Sequence, residues 1–137
     1  MDINLEILCS KVQELAREVG RFIYDERLKF TSEDIVHKGR ADMVTYVDKT
    51  AEAQIVAALR ILLPGSGFIA EEGTAHDNGE EYRWVIDPLD GTTNYIHGIS
   101  PFAVSIGLLE GDEIVMGVIY EISLDEIFMP GKTAKRT

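Results

Sequence analysis

The sequence predicts an α+β fold in which N-terminal helices form a layer packed on a largely antiparallel sheet. Apolar residues follow the helix period up to Leu62, whereas short β-rich runs follow Gly67. The runs from Phe102 to Leu109 and from Ile114 to Tyr120 are joined by the short turn Glu110-Gly111-Asp112. Such a turn permits an antiparallel hairpin and leaves no room for a crossover helix. A chain of 137 residues is long enough for one domain with its own core.

Two long helices are expected before the sheet. The first runs from Ile3 to about Leu28, because apolar residues recur there at steps of three and four. The second ends at Pro64-Gly65 and holds Asp48 in its first turn, where a carboxylate interacts favourably with the helix dipole. The apolar stripes are Leu5, Leu8, Val12, Leu15, Val19, Phe22 and Ile23 in the first helix, and Val47, Ala51, Ile55, Leu59 and Leu62 in the second. Cys9 lies beside the first stripe and is interpreted as a core residue rather than a reactive thiolate.

A short strand from Gly67 to Ala70 is expected to present Glu71 and Glu72 at its end. Because neighbouring residues of a strand point to opposite faces, only one of these glutamates should enter a pocket. The residues from Gly73 to Tyr82 are acidic and contain glycine, which is typical of a surface loop.

The most informative stretch is a corner at which an apolar run ends in two aspartates. The bulky residues from Trp84 to Ile86 predict a buried strand. Pro88 is expected to end this strand, because proline has no N–H to donate to the ladder. Asp87 and Asp90 would then point into one small volume, and Gly91 is free to adopt conformations closed to other residues.

A helix that opens after this corner would add an anion site to the carboxylates. The N–H groups of Gly91, Thr92 and Thr93 would point towards such an anion. Carboxylates and phosphate repel each other, so both are satisfied together only if hard cations lie between them, and Mg²⁺ binds both kinds of ligand. The alternative interpretation is that both Asp-Pro and Asp-Gly are ordinary turn dipeptides.

The residues after the corner predict a helical turn and then strands. Tyr95 to His97 complete the turn and Gly98 ends it. His97 is not expected to be catalytic, because hard Mg²⁺ does not favour imidazole. A last strand is predicted from about Glu126 to Met129, after the hairpin.

Charge and cysteine content exclude several functions. The chain has 24 acidic and 13 basic residues and a net charge of -11, which disfavours nonspecific binding to nucleic acid or to an anionic membrane. Its single cysteine can form no intramolecular disulfide, and no Cys/His spacing suggests zinc. With Asp2 and Glu6 near the N-terminus, no secretory signal or membrane span is visible, so a cytoplasmic location is expected.

The string from Asp87 to Asn94, Asp-Pro-Leu-Asp-Gly-Thr-Thr-Asn, closely resembles the signature of the inositol monophosphatase family of metal-dependent, lithium-sensitive phosphatases. Three more segments resemble that family in the same order: Asp42-Met43-Val44-Thr45 with Asp48, then Phe68-Ile69-Ala70-Glu71-Glu72-Gly73, and Pro101-Phe102-Ala103-Val104-Ser105-Ile106. Together these segments extend the resemblance over nearly the whole chain, up to about Phe128.

The resemblance implies a set of site residues and two or three Mg²⁺ ions, with inhibition by Li⁺. The implied metal ligands are Glu71, Asp87, the Leu89 carbonyl and Asp90. The implied catalytic residues are Asp48, Glu71 and Thr92, of which Thr92 and Asp48 orient the attacking water. The implied substrate-binding residues are Asp90, Gly91 and Thr92. Lys38, in the polar connector between the helices, is a weaker candidate, and a solvated loop charge is the alternative.

The resemblance also implies what the chain does and how it is organised. Residues 1–137 would form the N-terminal metal-binding domain, and the family's C-terminal domain, with its last metal-binding aspartate, is absent. The implied activity is hydrolysis of inositol monophosphate or a similar small sugar phosphate, impaired in this half-length chain, by a homodimer. Fructose 1,6-bisphosphate and 3'-phosphoadenosine nucleotides are alternative substrates. A noncatalytic protein-interaction module is the alternative from another functional class.

Overall fold

A computed structural model of the chain describes residues 4–29, 39–70 and 80–130. Within them, two long helices precede a five-stranded sheet that is interrupted by one short helix. The elements are α1 (Leu5–Lys29), α2 (Arg40–Leu62), β1 (Gly67–Ala70), β2 (Tyr82–Asp90), α3 (Thr92–His97), β3 (Ala103–Glu110), β4 (Glu113–Glu121) and β5 (Glu126–Phe128). The predicted α+β class is confirmed.

The sheet follows chain order, β1-β2-β3-β4-β5. β1 runs parallel to β2, and the other three pairings are antiparallel. The hairpin between β3 and β4 turns at Gly111 and Asp112, as predicted. The final strand is also where the pattern predicts it. The sheet is therefore largely antiparallel, with one parallel pair at its edge.

Both long helices pack on one face of this sheet. The apolar stripe of α1 contacts α2, β3 and β4, and α2 also contacts β2. Residues from all these elements form one core; its fully buried members include Val12, Val19, Ile23, Val47, Ile55, Trp84, Ile106 and Leu108. Cys9 is buried at this core, as predicted, and lies 3.9 Å from the sulfur of Met129.

The opposite face of the sheet carries exposed apolar side chains. Val85 lies between two core residues on β2 and is paired with Gly107, which is itself paired with Gly117. Side chains that alternate along a strand point to opposite faces, so this row faces away from the helices. Val85 is 42 % exposed and Ile114 62 % exposed. None of the described helices is both long enough and apolar enough to cross a membrane.

Two boundaries differ from those predicted. α2 begins at Arg40, so Asp48 is in the third turn and not the first, and the predicted stabilisation by the helix dipole is wrong. The helix starts earlier because buried Met43, four residues before Val47, extends the apolar stripe towards the N-terminus. Pro88 does not end β2, which continues to Asp90. Its missing N–H is tolerated because the pairing with β3 is irregular at this point.

The approach of α1 to the sheet depends on Gly20. A Cβ atom at this position would lie 2.5 Å from Cε2 of Tyr120 on β4. This separation is well inside van der Waals contact, so only glycine allows the helix to lie so close to the ring. The side chain of Tyr120 is fixed from the other side, because its hydroxyl donates a hydrogen bond to Asp125 at 2.7 Å.

We therefore expect Gly20→Ala to lower the free energy of unfolding by about 1 kcal/mol, because overpacking outweighs the gain in helix propensity. Urea unfolding, followed by the fluorescence of the single tryptophan, measures the change. In a Tyr120→Leu background, where the ring is gone, the same substitution should cost clearly less, because the remaining close contact is with Cγ1 of Ile122 at 3.3 Å. A stabilising effect of Gly20→Ala in the otherwise unchanged chain would contradict this account of the packing.

Candidate active site

The centre of the candidate site is an irregularity in the pairing of β2 with β3. Asp87 is paired with Ser105 and Asp90 with Ala103, so a step of three residues on β2 matches a step of two on β3. The extra residue makes this a β-bulge. Paired residues point to the same face of a sheet, and residues two apart on one strand share a face. The bulge therefore puts Asp87 and Asp90 on one face, although a regular strand would separate them.

The face that these two aspartates share is the one away from the long helices. Trp84 and Ile86 point into the core, so Asp87 continues the row of Val85 on the other side. Asp87 is half-buried and Asp90 is exposed. Between them, Leu89 is 3 % exposed. The two carboxylates thus flank a residue that anchors the corner in the core.

The short helix α3 begins directly after this bulge. Gly91 is its N-terminal cap, with φ of 88° in the left-handed region, as its predicted freedom allows. Its carbonyl accepts the first helical hydrogen bond, from the N–H of Tyr95 at 2.9 Å. Gly98, also left-handed, ends the helix as predicted. Thr92 is half-buried in the first turn, where the N–H groups have no partner within the helix.

The corner is fixed on one side by α1. Tyr95 is completely buried, and its hydroxyl donates a hydrogen bond to the carbonyl of Ile23 at 2.8 Å. Nε of Arg27 donates to the Tyr95 carbonyl at 2.9 Å, near the C-terminal end of α3. Burial raises the pKa of the Tyr95 phenol above its ordinary value, and the nearby charge of Glu26 adds to the increase, although Arg27 opposes it. Two polar contacts thus join α3 to a helix some seventy residues earlier in the chain.

On the other side, the corner rests on the segment before β3. Asn94 donates a hydrogen bond from Nδ2 to the carbonyl of Pro101 at 2.9 Å. Gly91 lies against the same backbone, since a Cβ atom there would lie 2.6 Å from the Pro101 oxygen and 3.2 Å from the Phe102 Cα. The rings of Tyr95 and Phe102 meet edge to face, with centroids 5.4 Å apart. Sequence reasoning missed these contacts, because the periodicity of the chain contains no signal for them.

Of the other predicted site residues, the structure describes some and leaves others outside its described ranges. Asp48 is half-buried on α2, and that helix contacts both β2 and α3. Glu71 lies outside the described residues, as do Glu72 and Lys38, so their predicted roles remain predictions. β1 ends at Ala70, which is paired with Ile86, the residue just before Asp87.

The donors at the corner are chemically suited to a hard divalent cation. Asp87 and Asp90 offer carboxylate oxygens on one face, and the carbonyl of Leu89 lies between them in sequence. Oxygen donors of this kind are the ligands that Mg²⁺ prefers. In residues 4–29, 39–70 and 80–130, no group of three or more His, Cys, Asp or Glu side chains is placed to hold a metal. His97 is exposed at the last residue of α3.

The contact between Gly91 and the Pro101 backbone can be tested by Gly91→Ala, with Gly65→Ala as the control. Both glycines have a φ near 85°, and either alanine would be strained by about 1–2 kcal/mol. Only Gly91 has atoms within 4 Å of the added methyl group. We expect Gly91→Ala to lower the free energy of unfolding by clearly more than Gly65→Ala in urea titrations. Equal losses would mean that the close backbone contact is unimportant.

The raised pKa of Tyr95 predicts how stability depends on pH. Below pH 10, Tyr95→Phe should lower the free energy of unfolding by about 1 kcal/mol, the typical contribution of one hydrogen bond. Above pH 10 the phenol ionises in the unfolded chain but not when buried, so the stabilisation from neutral Tyr95 is lost as pH rises. The difference between the original chain and Tyr95→Phe should therefore shrink from pH 8 to pH 11. Tyr24→Phe, at an exposed side chain, is the control for removing one phenol from the chain.

The chain is similar to proteins of one known family. The model of the inositol monophosphatase family matches residues 5–135. A fructose-1,6-bisphosphatase/inositol-1-monophosphatase of Aquifex aeolicus is 41% identical over 123 residues, which are 89% of this chain and 47% of the relative. Inositol monophosphatase 1 of Solanum lycopersicum is 42% identical over 130 residues, 91% of this chain and 46% of its own. The chain thus spans about half the length of the curated relatives that it matches.

Solved structures agree with the sequence matches. An inositol monophosphatase from Anabaena is 34% identical, with a TM-score of 0.75 over 93% of this chain and 44% of its own. Mycobacterium tuberculosis SuhB is 29% identical, also with a TM-score of 0.75, over 95% of this chain and 46% of its own. The family match over residues 5–135 and the shared fold together show that this chain belongs to the inositol monophosphatase family.

Proposed function

We propose that this chain forms the metal-binding half of a Mg²⁺-dependent hydrolase of phosphate monoesters, acting on inositol monophosphate or a similar sugar phosphate. The observation that carries the proposal is the β-bulge that puts Asp87 and Asp90 on one face, directly before a helix that begins at Thr92. The names of its relatives support the same reaction class, since several are inositol monophosphatases. We also propose that the protein is a cytoplasmic homodimer.

The proposed metal ligands are oxygen donors from the end of β2 and from the residue after β1. Asp87, Asp90 and the Leu89 carbonyl would hold two or three Mg²⁺ ions together with Glu71. When bound, these ions would supply Lewis-acid chemistry, lowering the pKa of a water molecule and neutralising negative charge on the phosphate. Li⁺ is expected to inhibit by competing for this oxygen-rich site.

We propose roles for the remaining residues in orienting water and in stabilising the phosphate, as the family resemblance implies. The Thr92 hydroxyl, with Asp48 as its hydrogen-bond acceptor, would orient a water molecule for in-line attack on phosphorus. The N–H groups of Gly91 and Thr92 would donate hydrogen bonds to the phosphate oxygens. These bonds would stabilise the negative charge that increases on those oxygens in the transition state. The new P–O bond comes from water and the broken one is to the alcohol, so no covalent phosphoenzyme is needed.

The ligand set of this half-length chain argues for weak metal binding. Asp87, Asp90 and Glu71 would supply three carboxylates, which is few for two or three tightly bound ions. We therefore expect slow turnover and low Mg²⁺ affinity from this chain alone. Both should rise when the C-terminal half of a relative is joined to it.

The proposal is tested by phosphate release from inositol 1-phosphate, with and without Mg²⁺, and by calorimetric titration with Mg²⁺. Asp90→Asn should lower any Mg²⁺-dependent rate by about 100-fold or more, the scale for losing one transition-state charge contact. Asp112→Asn, in the exposed turn of the hairpin, is the matched control and should change neither rate nor affinity. Release that does not need Mg²⁺, or that persists in Asp90→Asn, would contradict the proposal.

Fructose 1,6-bisphosphate is the second candidate substrate, because the Aquifex aeolicus relative carries both enzyme names. Running both substrates in the same assay, with a 3'-phosphoadenosine nucleotide as a third, gives the ratio of their kcat/KM values. The residues of the corner contact only the phosphate in this proposal, so residues 1–137 by themselves should discriminate poorly among the three substrates. A strong preference would place specificity within these 137 residues.

A further inference from the structure

We propose that Glu121 is a positioning residue for the corner from Asp87 to Asn94, and that it acts through the segment Ser100 to Phe102. Its link to catalysis rests on the proposed function, whereas its effect on the shape of the corner does not. Glu121 is the last residue of β4 and lies in no motif that the sequence analysis identified. It does not itself touch the reacting atoms in this proposal.

Glu121 is a buried carboxylate surrounded by hydrogen-bond donors. It is 7 % exposed. Oε2 accepts a hydrogen bond from the N–H of Phe102 at 2.8 Å, and Oε1 accepts one from the N–H of Leu124 at 2.7 Å. The hydroxyl of Ser123 lies 2.8 Å from each carboxylate oxygen and donates to them. A buried charge is costly unless it is hydrogen-bonded, and here both oxygens are satisfied by donors.

These contacts hold the segment before β3 at several points. Phe102 donates its N–H to Glu121 and accepts a hydrogen bond on its carbonyl from the N–H of Ile122 at 2.9 Å. The hydroxyls of Ser100 and Ser123 lie 2.6 Å apart. The segment is thereby fixed to the end of β4 and to the turn that follows it.

The same segment determines how much room the corner has. Its Pro101 carbonyl accepts the hydrogen bond from Asn94, and the carbonyl oxygen lies 2.6 Å from the position that a Cβ on Gly91 would take. A displacement of this carbonyl by a few tenths of an ångström would change both its hydrogen bond with Asn94 and its close approach to Gly91, because both depend steeply on distance. Glu121 therefore positions the first turn of α3 without contacting it.

The donor pattern requires a carboxylate rather than an amide. A glutamine at position 121 has one acceptor oxygen and one NH₂ group. Whichever way it is oriented, its NH₂ group faces an N–H that needs an acceptor, either that of Phe102 or that of Leu124. One hydrogen bond is lost and two donors are forced together, while the volume of the side chain is unchanged.

The test compares Glu121→Gln with Glu126→Gln, a control at an exposed residue on the neighbouring strand. Amide hydrogen exchange of Tyr95 is the main readout, because its N–H is bonded to the Gly91 carbonyl and reports on the corner rather than on Glu121. We expect Glu121→Gln to speed exchange at Tyr95 by about tenfold or more, with little change at Leu108 and Val118 in the middle of the sheet. The control should change none of these amides.

Two results would overturn the proposal. Faster exchange at Phe102 alone, with Tyr95 unchanged, would mean that Glu121 fixes only its own neighbours. Equal acceleration at Tyr95, Leu108 and Val118 would mean that it merely stabilises the whole fold. If Glu121→Gln does not fold, Ser123→Ala removes one donor and keeps both backbone contacts, and it should raise exchange at Tyr95 in the same direction by a smaller factor; no change there would count against the proposal.

A Mg²⁺ titration of the same variants separates this proposal from the proposed function. If the original chain binds Mg²⁺, Glu121→Gln should weaken that binding about tenfold, and Glu126→Gln should leave it unchanged. If the original chain neither binds Mg²⁺ nor releases phosphate, the proposed function fails, while exchange at Tyr95 still decides the role of Glu121.

Discussion

The candidate site depends on one extra residue in β2. Without the bulge, Asp87 and Asp90 would lie on opposite faces of the sheet, because side chains alternate along a regular strand. With it, both carboxylates share a face and α3 can begin two residues later. Pro88 is compatible with this position, since an N–H is not needed where the ladder is interrupted. The order of residues from Asp87 to Asn94 is therefore dictated by hydrogen bonding in the sheet as much as by chemistry at the site.

The sequence was sufficient to predict the parts of the fold that depend on local patterns. The apolar stripes of α1 and α2, the tight hairpin and the left-handed Gly91 all follow from periodicity or backbone freedom. The predicted start of α2 and the predicted end of β2 were wrong, because tertiary contacts decide both boundaries. Met43 is helical because it reaches the core, and Pro88 is tolerated because of its strand partner. Glu71 lies outside the described residues, so its place at the site stays a prediction.

The contacts that hold the corner could not be predicted from local sequence at all. Tyr95 reads as an ordinary apolar residue of a short helix, yet its hydroxyl bonds to Ile23. Glu121 reads as a charged residue at the end of a strand, yet it is buried among donors from the neighbouring segments. In both cases the partner is set by the three-dimensional arrangement of elements, and a pattern within one element contains no information about it. The chemistry-bearing residues are therefore easier to recognise than the residues that hold them in place.

The hydrogen bond between Tyr95 and Ile23 has a consequence for folding. The two residues are separated by 72 positions, so they meet only after much of the intervening chain is ordered. Closing a long loop costs entropy before the contact returns any stabilisation. The aspartate corner is thus expected to acquire its final shape late in folding, together with the docking of α1 on the sheet. A partly folded chain would then carry the acidic residues without their native arrangement.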